Sequence, residues 1–202
     1  MSRKRIYYVV FFTLLFLGFV AALGLFVPDF FNKRIPPVAE VQPFSFTDQD
    51  GRTVTQQDLA GKVAAVNFFF TTCRGVCPKM NNNLKPVYED FKGEKDFILL
   101  SHTSDPEVDS VPVLRRYADS MAVDTRQWRF LTGPKEALYN AARRSYAIDD
   151  PNNNLQSPED DFLHSQFIAL VNREGKVMKI YDGLKANEMQ ELRQDVRKLL
   201  GK

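Results

Sequence analysis

The apolar pattern opens with an unbroken run over residues 6–27, about 22 positions with no charge among them. That length suits an α-helix crossing a hydrocarbon core at roughly 1.5 Å per residue. A cleaved leader has a shorter apolar region, about 7–15 residues, closed by a small-x-small site. Here Ala21 and Ala22 are followed by Leu23, Leu25 and Phe26, and no lipobox-type cysteine is present, so the run reads as a retained anchor. Residues 32–43 hold Pro36, Pro37 and Pro43 and no apolar period, and they read as an extended tether. Residues 44–47 and 52–55 flank Asp48-Gln49-Asp50-Gly51, the pattern of a short hairpin.

Residues 62–70 are apolar on both faces, which predicts a central strand in a sheet covered on both sides. Met80, Leu84, Val87, Tyr88 and Phe91 follow at helical spacing, with Pro78 suited to the first turn and Gly93 to the end. A second buried strand spans 97–100. Asp105 or Ser104 can cap the next helix, whose inner face is Val111, Leu114, Tyr117, Ala118 and Met121. A short strand over 128–131 and a helix over 134–146 come next. Residues 149–161 form a long, acidic, Asn-rich loop. Strands over 167–172 and 176–181 flank Arg173-Glu174-Gly175 as a second hairpin, and 188–200 form an amphipathic last helix.

Strands and helices alternating in this order predict a mostly parallel sheet with helices on both faces. No internal repeat or low-complexity segment competes with that. Both cysteines of the chain, Cys73 and Cys77, fall in the loop between the central strand and its helix, with Pro78 directly after. A two-cysteine loop there predicts an α/β, thioredoxin-like fold with an N-terminal β-hairpin and an inserted hairpin, preceded by a single transmembrane helix. The expected organisation is a cytoplasmic N-terminus over 1–5, an anchor over 6–27, a linker over 28–43 and the thioredoxin-like domain over 44–202.

Charge adds orientation. Arg3, Lys4 and Arg5 precede the anchor, which keeps that end in the cytoplasm and places the domain outside it. From Glu40 onward there are 22 Lys and Arg against 24 Asp and Glu, with no basic stripe and interleaved aromatics, so nucleic acid is not an expected partner. An exported compartment permits disulfides, so the cysteine pair can cycle between thiol and disulfide.

The five-residue loop that a Cys73–Cys77 bridge would close restricts the unfolded chain too little to be there for stability. At the start of a helix, thiols gain thiolate character from the positive end of the helix dipole. Thiolate serves both disulfide exchange and soft metals such as Cu(I). Two sulfurs cannot complete zinc's usual tetrahedron, whereas two sulfurs and one imidazole make a three-coordinate site suited to copper. The chain has two histidines, His102 in L-S-H-T-S-D-P and His164 in D-D-F-L-H-S-Q-F. His102 follows the strand over 97–100 and His164 stands at the entrance to the strand beginning at 167; both are eligible for the sheet end that carries the cysteines, and position alone does not separate them. The P-x-x-x-T-x-x-C pattern of a peroxiredoxin is absent.

Three blocks in order carry a resemblance. F-F-F-T-T-C-R-G-V-C-P, S-D-P-E-V-D-S-V-P-V-L-R-R-Y and F-L-H-S-Q-F-I-A-L-V-N-R-E-G-K-V resemble the C-x-x-x-C-P, D-P-x-x-D-T-P and histidine-strand-hairpin segments of the Sco/SenC family. These are membrane-anchored copper proteins of thioredoxin-like fold that act in assembling cytochrome c oxidase. The resemblance implies Cys73, Cys77 and His164 as copper ligands, Cu(I) foremost with Cu(II) as a second form, and Asp105 as a supporting residue near the site. It implies a metallochaperone more than an enzyme. The acceptor would be the copper-A subunit of an oxidase or another exported copper or thiol protein. The alternative is a thiol–disulfide oxidoreductase using Cys73 and Cys77 as its redox pair. One departure stands out: Arg74-Gly75 lies between the cysteines, where the family often has proline and then an acidic or polar residue.

Overall fold

The computed structural model describes residues 3–26, 36–149 and 166–202. The chain divides into two compact units, Met1–Pro36 and Pro37–Lys202. The first holds α1 (Arg3–Phe26), whose segment Arg3–Leu23 is long and apolar enough to cross a membrane. Phe11, Leu14 and Phe16 on it are exposed, as lipid-facing residues would be.

The second unit contains β1 (Ala39–Glu40), β2 (Ser45–Asp48), β3 (Thr53–Thr55), β4 (Val63–Phe69), α2 (Val76–Asp90), β5 (Phe97–Thr103) and α3 (Val111–Met121). It continues with β6 (Trp128–Thr132), α4 (Lys135–Asn140), β7 (Phe167–Val171), β8 (Lys176–Asp182) and α5 (Ala186–Leu200). Its strands form one sheet in the order β1-β8-β7-β4-β5-β6-β2-β3. The expected N-terminal hairpin is β2 with β3, and the inserted one is β7 with β8.

The sheet is not mostly parallel. Only β4 with β5 and β5 with β6 run parallel; the other five pairings are antiparallel. Parallel neighbours need a crossover helix, and only α2 and α3 serve as one. The β7–β8 hairpin instead docks antiparallel on β4, and β2 docks antiparallel on β6. Residues 38–41, inside the stretch read as tether, line the opposite edge: the Val38 amide donates to the Val177 carbonyl (2.7 Å) and Val41 to Gly175 (2.9 Å).

Side chains alternate along a strand, so each central strand feeds two cores. Val63, Ala65 and Phe69 of β4 face the core built with α2, α3 and α5. Ala64, Val66 and Phe68 face the core closed by α4 and the residues after it. The helix expected over 134–146 is α-helical only to Asn140. Ala141–Ser145 widen into a π turn, with the Tyr146 amide donating to the Ala141 carbonyl (3.0 Å), and Ala147 takes a left-handed φ of 52°. That turn brings Tyr146 and Ile148 into the second core, where both are buried.

Candidate functional site

The C-terminal end of β4 delivers the chain into the cysteine loop, and α2 begins at Val76 with Gly75 at its N-cap. Cys77 is buried on the inner face of the first turn, and Cys73 is half-buried one turn before it. Both thiols are free. The Cys77 amide donates to Cys73 Sγ at 3.4 Å. Burial raises the Cys73 thiol, but the Cys77 thiol and the amides of Cys77, Gly75 and Val76 outweigh it and bring Cys73 below the ordinary thiol value. Burial pushes Cys77 the other way, and the neighbouring Cys73 sulfur adds to the rise. The pair therefore gives up its first proton at Cys73. A cleft of about 470 Å³ opens over the two sulfurs, between Phe70, Arg74, Val76 and Gln166.

Asp109 fixes the loop. It is fully buried, and it accepts hydrogen bonds from the Thr71 amide (3.1 Å), the Thr71 hydroxyl and the Thr103 hydroxyl (2.6 Å). The Ser104 amide donates to the Phe69 carbonyl (2.8 Å), which ties the ends of β4 and β5 together beside it. A buried carboxylate is costly without such donors. Sequence reasoning chose Asp105 from this segment. Asp105 is half-buried, and its carboxyl is held above the usual range by burial and by Asp109. Its amide donates to Thr103 and its carbonyl accepts from Asp109, so it shapes the turn that carries Asp109. The D-P-x-x-D spacing held the signal for Asp109, but spacing does not say which carboxylate turns inward.

A floor of buried polar groups lies under the cysteines. The Asn67 amide donates to Asn81 Oδ1 (3.0 Å), Ser101 donates to Asn67 Oδ1 (2.6 Å), and the Trp128 ring N–H donates to Ser101 (2.9 Å). Asn81 in turn donates to the Tyr117 hydroxyl (2.8 Å). On the far side of the site, Gly183 leaves no room for a Cβ, which would lie 2.7 Å from Met80 Cγ and 2.9 Å from the Gln166 carbonyl oxygen.

The two histidines part company. His102 lies inside β5 at a position of the second core's parity, stacked on Phe68 (4.9 Å between ring centroids) and set against Phe46 and Tyr146. The cysteines pack on the first core, across the sheet. His102 therefore stands on the other face from the thiols. His164 lies outside the described residues. Among the described residues no group of three His, Cys, Asp or Glu side chains is placed to hold a metal. The two sulfurs do suit a soft ion: they are adjacent, thiolate-prone at Cys73 and open to solvent through the cleft.

A pair of adjacent free cysteines at the first parallel strand-to-helix junction, on a sheet with helices on both sides, defines a thioredoxin-like protein. The family described as SCO1/SenC matches residues 32–201, and the chain belongs to that family. A SCO1 protein homolog of Bacillus subtilis is 30% identical over 187 residues, covering 91% of this chain and 92% of the relative. Among solved structures, a SCO1/SenC family lipoprotein from Bacillus anthracis superposes with a TM-score of 0.70 at 29% identity, over 82% of this chain and 98% of that one. BsSco, a member of the Sco family of cytochrome c oxidase assembly proteins in which a disulfide switch was identified, gives 0.69 at 30% identity, over 81% and 95%. ScoI of Arabidopsis thaliana, solved with copper bound, gives 0.62 at 27% identity, over 81% and 99%.

Proposed function

We propose that this chain is a membrane-anchored copper carrier that holds the ion as cargo and passes it to the copper-A subunit of a respiratory oxidase. The observation that carries the reading is the adjacent pair Cys73 and Cys77 at the mouth of an open cleft, in a member of a family whose ScoI from Arabidopsis thaliana was solved with copper bound. In this reading both sulfurs bind Cu(I) as thiolates, and the neutral imidazole of His164 completes three-coordination. Helix α1 anchors the chain, with Arg3, Lys4 and Arg5 on the cytoplasmic side and the dithiol on the other. Release follows from ligand exchange with acceptor thiols that reach the half-buried Cys73 sulfur through the cleft. Asp105 supports the site through its turn and does not act as a ligand.

The test is copper retained after dialysis of the reduced protein, for wild type and for Cys73→Ala, Cys77→Ala and His164→Ala. Wild type should keep about one copper per chain, and each cysteine variant should lose most of it. The His164 variant should lose affinity and change the spectrum; wild-type stoichiometry and an unaltered spectrum there would remove His164 from the site.

A second reading is a thiol–disulfide oxidoreductase, favoured by the contrast between a half-buried Cys73 thiol whose pKa is lowered and a buried Cys77 whose pKa is raised. Cys73 would attack a partner disulfide, and Cys77 would then resolve the mixed disulfide. That activity needs no imidazole, so His164→Ala should keep it while losing copper.

A further inference from the structure

Arg74 is exposed at the rim of the cleft, between the two cysteines, and among the described residues it makes no hydrogen bond or ion pair. Among the described residues the rest of the lining carries no fixed charge: Phe70, Thr72, Gly75, Val76 and Gln166 surround the two thiols. The helix that follows does not neutralise it, since the first turn of α2 has no acidic residue, and Lys79 adds a second exposed cation three residues into the helix. Carboxylates do stand on the neighbouring loop, but none of them lines the cleft. Asp109 is buried under the hydroxyls of Thr71 and Thr103, and neither Asp105 nor Glu107 lines the cleft. Among the described residues, the mouth over the dithiol is thus an apolar trough with the Arg74 guanidinium, without a partner, at its edge. An unpaired guanidinium offers a planar fork that fits a carboxylate in two parallel hydrogen bonds.

We infer that this trough receives a cysteine-bearing segment of a partner protein in which carboxylates flank the cysteine, and that Arg74 is the residue that selects it. The inference rests on the reading of Cys73 and Cys77 as the reacting centre, and it assigns the partner's chemistry. In the exchange step the Cys73 thiolate attacks one sulfur of a partner disulfide. A Cys73–partner bond forms, and the other partner sulfur leaves as a thiolate and takes up a proton. Cys77 then attacks Cys73, closing Cys73–Cys77 and releasing the second partner thiol. Two electrons and two protons pass from the dithiol to the partner. Arg74 takes part in none of these bonds; it steers the approach.

The experiment uses the full-length reduced chain in a non-ionic detergent. Three symmetric peptide disulfides of equal length serve as probes, with the cysteine flanked by aspartates, by serines or by lysines. At low salt, wild type should reduce the aspartate peptide on the order of tenfold faster than the lysine peptide, with the serine peptide between them. The spread should collapse near 1 M salt, where the screening length falls to about 3 Å. Arg74→Gln should bring the three rates together, and Arg74→Glu should reverse their order. Equal rates on wild type, an unchanged order in Arg74→Glu, or no exchange with any peptide each overturns the inference. Copper retention measured on the same preparations stands or falls separately, so loss of the docking preference and loss of the copper site are distinguishable.

Discussion

His102 shows how far one side chain can be read before its surroundings are known. In the sequence it was a polar residue beyond a strand end, as eligible for the metal as His164. Strand β5 runs on through Thr103, so alternation decides the matter: Ser101 and Thr103 face the cysteine side, and His102 faces the other. There the ring is fully buried among Phe46, Phe68 and Tyr146, and neither ring nitrogen has a hydrogen-bond partner among the described residues. Burial takes its pKa down to about 3, and the Asn67 backbone, outside hydrogen-bonding geometry, opposes this only weakly. The unfolded chain takes up this proton near pH 6.5 and the folded one does not, so acid favours unfolding. The folded state keeps its full advantage above pH 6.5. It loses roughly 1.4 kcal/mol per pH unit as pH falls toward 3, about 2 kcal/mol by pH 5. His102→Phe should flatten this part of a urea-stability profile and raise stability at pH 7 by about 1–3 kcal/mol, since two unpaired buried nitrogens disappear. A slope between pH 6.5 and 4 that survives in the variant would assign the acid sensitivity to another group. The cysteines admit a parallel check. Cys73 is the more exposed and more acidic thiol, so peptide mapping after brief iodoacetamide treatment should find it alkylated well before Cys77.

The loop between β4 and α2 is held at its strand end by Asp109, and its behaviour should follow that clamp. Asp109→Ala strands Thr71 N–H and two hydroxyls in a buried setting, at an expected cost of about 2–4 kcal/mol in urea unfolding. Asp109→Asn keeps the shape and part of the acceptor capacity, so it should cost less. Amide exchange at Thr71 and Cys73 should speed up more than in the strands in the alanine variant; uniform acceleration would mean the clamp serves global stability only. These elements also mark what could be read in advance. The apolar alternation of β4, the spacing of Met80, Leu84 and Val87, and the pair Cys73 and Cys77 before a Pro all rest on local pattern, and they placed the strand, the helix and the loop. Strand direction is not local. A strand buried on both faces reads alike whether its neighbour is parallel β5 or antiparallel β7, so the mixed sheet was out of reach. The π turn after Asn140 escaped for a related reason: Ala141–Ser145 hold good helix formers, and only the burial of Tyr146 and Ile148 widens the turn. Asp109 and Asp105 share one short motif, and only the fold says which one faces the loop.

Where the folded unit begins can be argued from both sides of Pro37. Every residue of the two cores lies beyond it, the first contributors being Ala39 and Val41 at the margin of the second core. A chain starting at Pro37 should therefore unfold in urea with a free energy within about 0.5 kcal/mol of the full-length protein, the range of changes that touch no core or buried polar group. Under the proposed site it should also retain copper, because Cys73, Cys77 and His164 are all kept. A chain starting at Phe44, where the linker reading put the boundary, loses more. It removes the pairing of β1 with β8, the hydrogen bonds from Val38 to Val177 and from Val41 to Gly175, and the Gln42 amide's bond to the Ser145 hydroxyl (3.1 Å). It also uncovers the apolar surface that Ala39 and Val41 shelter. Three hydrogen bonds at about 1 kcal/mol each, offset by renewed solvation at an exposed edge, set an expected loss of about 1–3 kcal/mol. The bare β8 edge should in addition promote association, visible as concentration-dependent light scattering. Equal stability of the two truncations would return residues 38–43 to the tether. A deficit confined to the shorter chain makes them the outermost strand of the domain.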